Sequence, residues 1–195
     1  MFTGRQDDDH FCGDCLTQAK RFSSARAPGV YKRTLMAVIH CYKYRGNLQL
    51  ALPLGALLLV TLMRYWDWNN IDMVIPVPLH ISRLRSRGFN QAFLLIRDWN
   101  RMVKDLKVGP PNIKIEWDVL TRNRRTDSQT GLARNLRMTN IKNAFNIKDP
   151  LKIEDKRILV VDDVYTTGAT VDACAAELLD NGAQTVDVLT LARAM

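Results

Sequence analysis

The densest chemistry in the chain lies between Ile158 and Thr170, where the sequence runs ILVVDDVYTTGAT. Ile158, Leu159, Val160 and Val161 predict a strand buried on both faces. Asp162 and Asp163 follow at its carboxyl end, and then Thr166, Thr167, Gly168, Ala169 and Thr170 lead into a helical stretch. A small-residue loop that opens a helix presents unpaired backbone N–H groups, and the helix dipole adds about half a positive charge there. That combination binds phosphate. Gly168 permits close backbone approach, and the threonine hydroxyls are further donors. Carboxylates touching a phosphate would repel it, so Asp162 and Asp163 are read as acceptors for neutral hydroxyls a few ångströms away. A 5-phosphorylated ribose carries both groups at that separation. Each piece alone has a plainer reading, since Asp favours strand ends and Thr favours helix caps. In full order after a buried strand, the segment favours the ligand-binding reading. Two other phosphate motifs fail: no GxxxxGK[ST] is present, and no GxGxxG follows a strand.

The elements that must position this segment follow from apolar periodicity. Residues 1–27 read as polar and irregular. From Tyr31 to Met63 the pattern is helical and increasingly apolar. Asp72 to Pro78 reads as a buried strand that stops at Pro76 and Pro78, because proline cannot donate to a ladder. Phe89, Ala92, Phe93, Ile96 and Val103 form a helical stripe. Ile113 to Leu120 alternates like a strand, and Arg122 to Asn143 is basic with weak periodicity. Arg157 to Asp163 is a strand. Val171, Cys174, Ala175, Leu178 and Leu179 form a helix closed by Asn181 and Gly182, and Thr185 to Ala192 is a last strand. This order predicts an α/β fold with a mostly parallel sheet flanked by helices. Ligands of such sheets bind outside the carboxyl ends of the strands. The residues after Val77, Leu120 and Asp163 therefore matter most.

Charge supports that focus. The 195 residues carry a net +8. Between residues 81 and 101 five arginines face one aspartate, a net +4. Between 122 and 142 five arginines and a lysine face one aspartate, a net +5. The remainder is about neutral, so two segments present positive charge to a shared anionic ligand. Two solvated basic faces are the plainer alternative. At 47% apolar and 25% charged, the chain is an ordinary globular one. A chain this long buries roughly 70% of its unfolded surface, which excludes a disordered tail, a collagen or a disulfide scaffold. Its four cysteines and the lack of a signal-like start point to a reducing cytoplasm. The longest apolar run, Leu48 to Met63, is interrupted by Gln49, Pro53 and Thr61 and falls short of the ~20 residues a bilayer needs. A buried helix, and no membrane span, is expected.

The Ile158–Thr170 segment resembles the phosphoribosyl pyrophosphate (PRPP) signature of type I phosphoribosyltransferases. More of the chain resembles the ComF competence-protein family, also called GntX-like: HCYKYRGNLQLA from His40, VIPVPLHISRLRSRGFNQA from Val74, and RNRRTDSQTGLARNLRMTNIKNAF from Arg122. The resemblance spans roughly residues 30–193 and implies a type I phosphoribosyltransferase-like domain over 31–195. In it Asp162 and Asp163 hold the ribose hydroxyls, and Val164, Tyr165, Thr166, Thr167, Gly168, Ala169 and Thr170 form the 5-phosphate segment. Arg83, Arg85 or Arg87 would meet the pyrophosphate. Residues of about 122–145 would be a hood, with Gln129 and Arg137 as its contacts. It also implies PRPP, or another phosphorylated ribose, bound with Mg²⁺. Catalysis then rests on charge at the leaving group and on positioning, with no protein nucleophile. His10, His40 and His80 accordingly receive no catalytic role.

Family members often begin with two CxxC pairs that hold zinc. Here only Cys12 and Cys15 stand at that spacing, so residues 1–30 are read as a degenerate or truncated finger. A structural zinc needs four ligands, and no zinc site is expected. Trp66, Trp68 and Trp99 are read as core packing rather than base stacking. The family's tie to DNA uptake implies single-stranded DNA and competence proteins as partners. Three functions remain open. One is a phosphoribosyltransferase with an unassigned acceptor. Another is a DNA-uptake accessory protein with PRPP as regulatory ligand. The third is a nucleic-acid-binding module with a vestigial site.

Overall fold

The computed structural model describes residues 19–110, 112–124 and 144–194. Its centre is a parallel sheet. Strand β3 (Met73–Pro76) pairs with β6 (Arg157–Tyr165), and β6 pairs with β7 (Thr185–Arg193). Two short strands, β1 (Ala25–Arg26) and β2 (Gly29–Val30), complete it on the outer edge of β7. Residues 19–30, expected to be irregular, thus supply part of the sheet. Their pairing is main-chain bonding, which needs no hydrophobic pattern and leaves no periodicity to read.

Side-chain alternation along the central strands divides the core in two. Ile75, Ile158, Val160, Val186 and Val188 face one side, under helix α6 (Ala169–Asp180). Val74, Leu159, Val161, Leu189 and Leu191 face the other. There they meet α1 (Arg33–Tyr44), α2 (Ala51–Tyr65), α4 (Gln91–Ile96) and α5 (Trp99–Leu106). The result is the expected helix–sheet–helix sandwich.

The long apolar run is a core helix on one face only. Leu54, Leu58, Leu59 and Leu62 of α2 are buried, while Leu52, Leu57, Val60 and Met63 are exposed. Leu48–Tyr65 is long and apolar enough by composition to cross a membrane, but its buried face is committed to the sheet and to α4 and α5. Gly55 marks the closest approach: a Cβ there would lie 2.2 Å from the Leu95 carbonyl oxygen of α4. The Gly55 carbonyl accepts a 2.9 Å hydrogen bond from Nε1 of Trp99, which is fully buried as expected.

Two expected elements differ. The stripe from Phe89 to Val103 is two helices, α4 and α5, separated at Arg97 and Asp98. Periodicity survives a short break, so the stripe does not reveal it. The alternating run from Ile113 is not a continuous strand. It makes one bridge, Ile115 to Val74, before β4 (Leu120–Arg122) begins. Strand β4 pairs antiparallel with β5 (Phe145–Ile147), and the Asn123 N–H donates to the Ala144 carbonyl at 3.0 Å. The two ends of the expected hood are therefore closed together at its base.

Candidate functional site

Strand β6 delivers the acidic pair. Asp162 and Asp163 are the only acidic residues within this strand, and both are buried, at 9% and 3% exposure. The Asp163 N–H donates to Asp162 Oδ1 at 2.8 Å. Beyond that bond the two carboxylates have different surroundings. Asp163 meets α1, where the Lys43 ammonium lies 2.8 Å from Oδ2. The contact is between charges rather than along an aligned hydrogen bond. Asp162 lies within the influence of Arg122 of β4 and Cys174 of α6.

Burial pushes the Asp162 carboxyl well above the usual carboxylate range, and the Asp163 charge adds to it. Lys43, and less so Arg122, act against that rise. Burial alone would lower the Lys43 ammonium, but Asp163 and Asp162 outweigh it and the net shift is upward. Burial also lowers the Arg122 guanidinium, helped by nearby Arg83.

The phosphate segment is split between strand and loop. Val164 and Tyr165 still belong to β6 and pair with Ala192 and Arg193 of β7. The Tyr165 ring is buried, edge-on to Phe22, and lies directly beneath Gly168. Gly168 has φ +75°, and a Cβ there would sit 2.3 Å from the Tyr165 Oη. Only glycine fits both demands. Thr166 is exposed and Thr167 half-buried, and the Ala169 N–H reaches Thr167 Oγ1 at 3.4 Å as α6 begins. The loop between the acidic pair and the start of α6 is thus held tight against the strand. Paired acceptors, a close-approach glycine and the first N–H groups of a 12-residue helix thus lie together at the carboxyl end of β6.

Arg83, Arg85 and Arg87 all lie on α3 (Ile81–Arg87), which follows β3 at the same end of the sheet. The structure separates them. Arg83 is half-buried near Arg122. Arg85 is exposed. Arg87 donates to Gln91 Oε1 at 2.7 Å and stacks over the Tyr44 ring at 5.3 Å. Much of the RGFNQ block is scaffold. Gly88 closes α3 at φ +82°, and Asn90 caps α4 by accepting from the Ala92 N–H at 2.9 Å. Asn90 also donates to the Val77 carbonyl at 3.1 Å, which ties α4 to the end of β3. His80 caps α3 through Nδ1 and Ser82.

Gln129, Arg137, Cys12 and Cys15 lie outside the described residues. Among the described residues no group of three His, Cys, Asp or Glu side chains could hold a metal ion. A cleft of about 100 Å³ lined by Trp68, Asp72 and Ile113 lies at the opposite end of β3, away from the acidic pair. Two residues at the site lie in segments the sequence reading singled out but were given no role of their own. Lys43 follows Ile39 by four positions on the same helix face. A lysine on the core side of a helix signals a buried anion to meet, but not which one. Arg122 stands out in the sequence only as one member of a basic run.

Residues 99–195 match the phosphoribosyl transferase domain family. A purine phosphoribosyltransferase from Pyrococcus horikoshii overlays 72% of this chain and 70% of its own, with 16% identity and a TM-score of 0.41. The chain is 34% identical over 189 residues to the DNA utilization protein YhgH of Escherichia coli O157:H7, covering 94% of this chain and 78% of that one. It is 31% identical over 187 residues to competence protein F of Haemophilus influenzae, with the same coverage of each. Competence protein ComFC of Streptococcus pneumoniae matches at 28% over 184 residues, covering 93% and 74%. With relatives this similar along almost its whole length, the chain belongs to the ComF competence-protein family.

Proposed function

We propose that this protein binds PRPP with Mg²⁺ at the carboxyl end of β6 and acts as a phosphoribosyltransferase-like component of single-stranded DNA uptake, on the cytoplasmic side. The observation that carries the reading is the buried Asp162–Asp163 pair next to a glycine-opened helix N-terminus. Asp162 and Asp163 accept hydrogen bonds from the ribose 2- and 3-hydroxyls. The Thr166–Thr170 loop donates backbone N–H groups to the 5-phosphate. Arg83 and Arg122, which lie near each other, supply positive charge for the pyrophosphate. Mg²⁺, when bound with the pyrophosphate, supplies positive charge at the leaving group. The chain's own part is to orient the sugar and to hold ionised carboxylates near the ring as it becomes electron-poor. The acceptor stays unassigned. The names of the relatives, competence and DNA utilization, support the DNA role. The described cysteines, Cys41 and Cys174, are free thiols, which suits a reducing compartment.

Titration calorimetry with PRPP, with and without Mg²⁺, tests the reading. Binding is expected with Mg²⁺ and weaker without it. Asp163→Asn exchanges a charge-assisted hydrogen bond for a neutral one, and affinity should fall about ten- to a hundredfold. Absence of heat with folded protein and PRPP–Mg²⁺ removes the reading.

A further inference from the structure

We infer that Lys43, a residue outside both the phosphate signature and the RGFNQ block, is a positioning residue that holds the Asp162–Asp163 pair ionised and aimed for the sugar hydroxyls. The inference rests on the proposed PRPP site. It starts from geometry. The Lys43 side chain is 17% exposed and the Asp163 side chain 5%, and their charged atoms are 2.8 Å apart. A buried lysine is costly unless paired, and so are two adjacent buried carboxylates. The arrangement places one positive charge against two negative ones. Removing that charge leaves the pair with an excess negative charge in a site that water barely reaches.

The other groups facing the pair do not replace it. Tyr42 lies beside Lys43 on α1, and its hydroxyl donates to the Gln91 carbonyl at 2.8 Å. Tyr31 precedes α1 and carries no charge at neutral pH, like Cys174 of α6. Arg122 of β4 serves Asp162 and also feels Arg83. Among the described residues, only Lys43 brings a cationic atom against the Asp163 carboxylate. Without the ammonium, the cheapest way for the pair to relieve its charge is to keep a proton. A protonated carboxyl is a poorer acceptor for a ribose hydroxyl. The parent's Asp162 carboxyl is itself raised by burial, so ligand affinity in the variant should stay pH-dependent to higher pH than the parent's.

The local sequence of α1 builds the device. Ile39 and Tyr42 anchor α1 in the core and are fully buried. Lys43 is carried on the same face, and the Tyr42 hydroxyl bond fixes the rotation of the helix against α4. The ammonium is thereby delivered to the carboxyl end of β6 from the far half of the chain.

The test uses full-length Lys43→Met and Lys43→Arg. The aspartate pair is titrated by carbon-detected NMR in the free proteins, and PRPP–Mg²⁺ affinity is measured from pH 6 to 9. In Lys43→Met the pair's apparent midpoint should rise by at least one pH unit. Affinity at pH 7 should fall at least tenfold and recover in large part by pH 9. Lys43→Arg should restore most of both. An unchanged midpoint, or tighter ligand binding in Lys43→Met, overturns the inference, the latter because Lys43 would then be a plug. Should the parent itself fail to bind PRPP, the proposed ligand falls, while the free-protein titration still decides the role of Lys43. If Lys43→Met does not fold, the double variant Lys43→Met, Asp163→Asn is compared with Asp163→Asn alone. With its charge partner already gone, loss of Lys43 should cost far less stability than in the parent, and equal cost overturns the pairing.

Discussion

Asp162 places function and stability in opposition within one side chain. Its carboxyl is pushed upward by burial first and by Asp163 second. A carboxyl raised in the folded state stabilises the fold while protonated. That contribution is complete below the unfolded value near 4 and is lost as pH rises through the folded value. At neutral pH and above, the ionised form therefore weighs against the fold. Asp162→Asn keeps the oxygen that accepts the Asp163 N–H and removes the charge. The variant should melt higher than the parent at pH 8, by about 0.5–2 kcal/mol, a gain typical of relieving a functional site. The gain should shrink to nothing below pH 4, and PRPP affinity should drop. A lower melting temperature at pH 8 would show that the charge is compensated in full by Lys43 and Arg122.

At the scale of elements, the crossing of α2 and α4 decides whether Asn90 and α3 stay in register with β3. Gly55→Ala sets two effects against each other. Alanine favours a helix interior over glycine by about 1 kcal/mol. The added Cβ would meet backbone, the Leu95 carbonyl, at 2.2 Å, and overpacking costs about 1–3 kcal/mol. A backbone atom cannot rotate away, so the steric cost should win. The urea midpoint should fall by an amount equal to about 1–2 kcal/mol with an unchanged slope, and an unchanged or raised midpoint would refute the tight crossing. Strands β3, β6 and β7 are legible in the sequence because apolar runs bounded by proline, acid and glycine suit a buried strand and little else. The acidic pair and the phosphate loop are legible because they are contiguous. The break between α4 and α5 leaves the apolar stripe intact, and β1 and β2 are two residues each, too short to show a hydrophobic period. Lys43 and Asp163 meet only after the sheet and α1 have packed, so no local pattern names the pair.

At the scale of the whole molecule, positive charge is concentrated in two segments of the sequence. The net +8 is accounted for by the segment 81–101, which includes α3, and the segment 122–142, whose base is closed by β4 and β5. The rest of the chain is about neutral. Positive charge gathered in two segments draws in polyanions as well as a small sugar phosphate. The expected outcome is weak, sequence-independent binding of single-stranded DNA carried by the arginines of these two segments. Each phosphate neutralised should contribute about −0.7 to the slope of log affinity against log salt. Arg124, exposed at the base of the hood, and Arg125 after it are suitable probes because neither belongs to the acidic pair or the phosphate loop. Changing both to alanine should flatten the slope by about 1.4 if each meets a phosphate, with PRPP binding little changed. Adding PRPP–Mg²⁺ to the same titration separates the two roles. Competition would put the DNA over the sugar site, and enhancement would make PRPP a regulator of DNA binding. No binding at low salt, where screening is weakest and the attraction strongest, would remove DNA as a partner and leave the basic segments to the pyrophosphate alone.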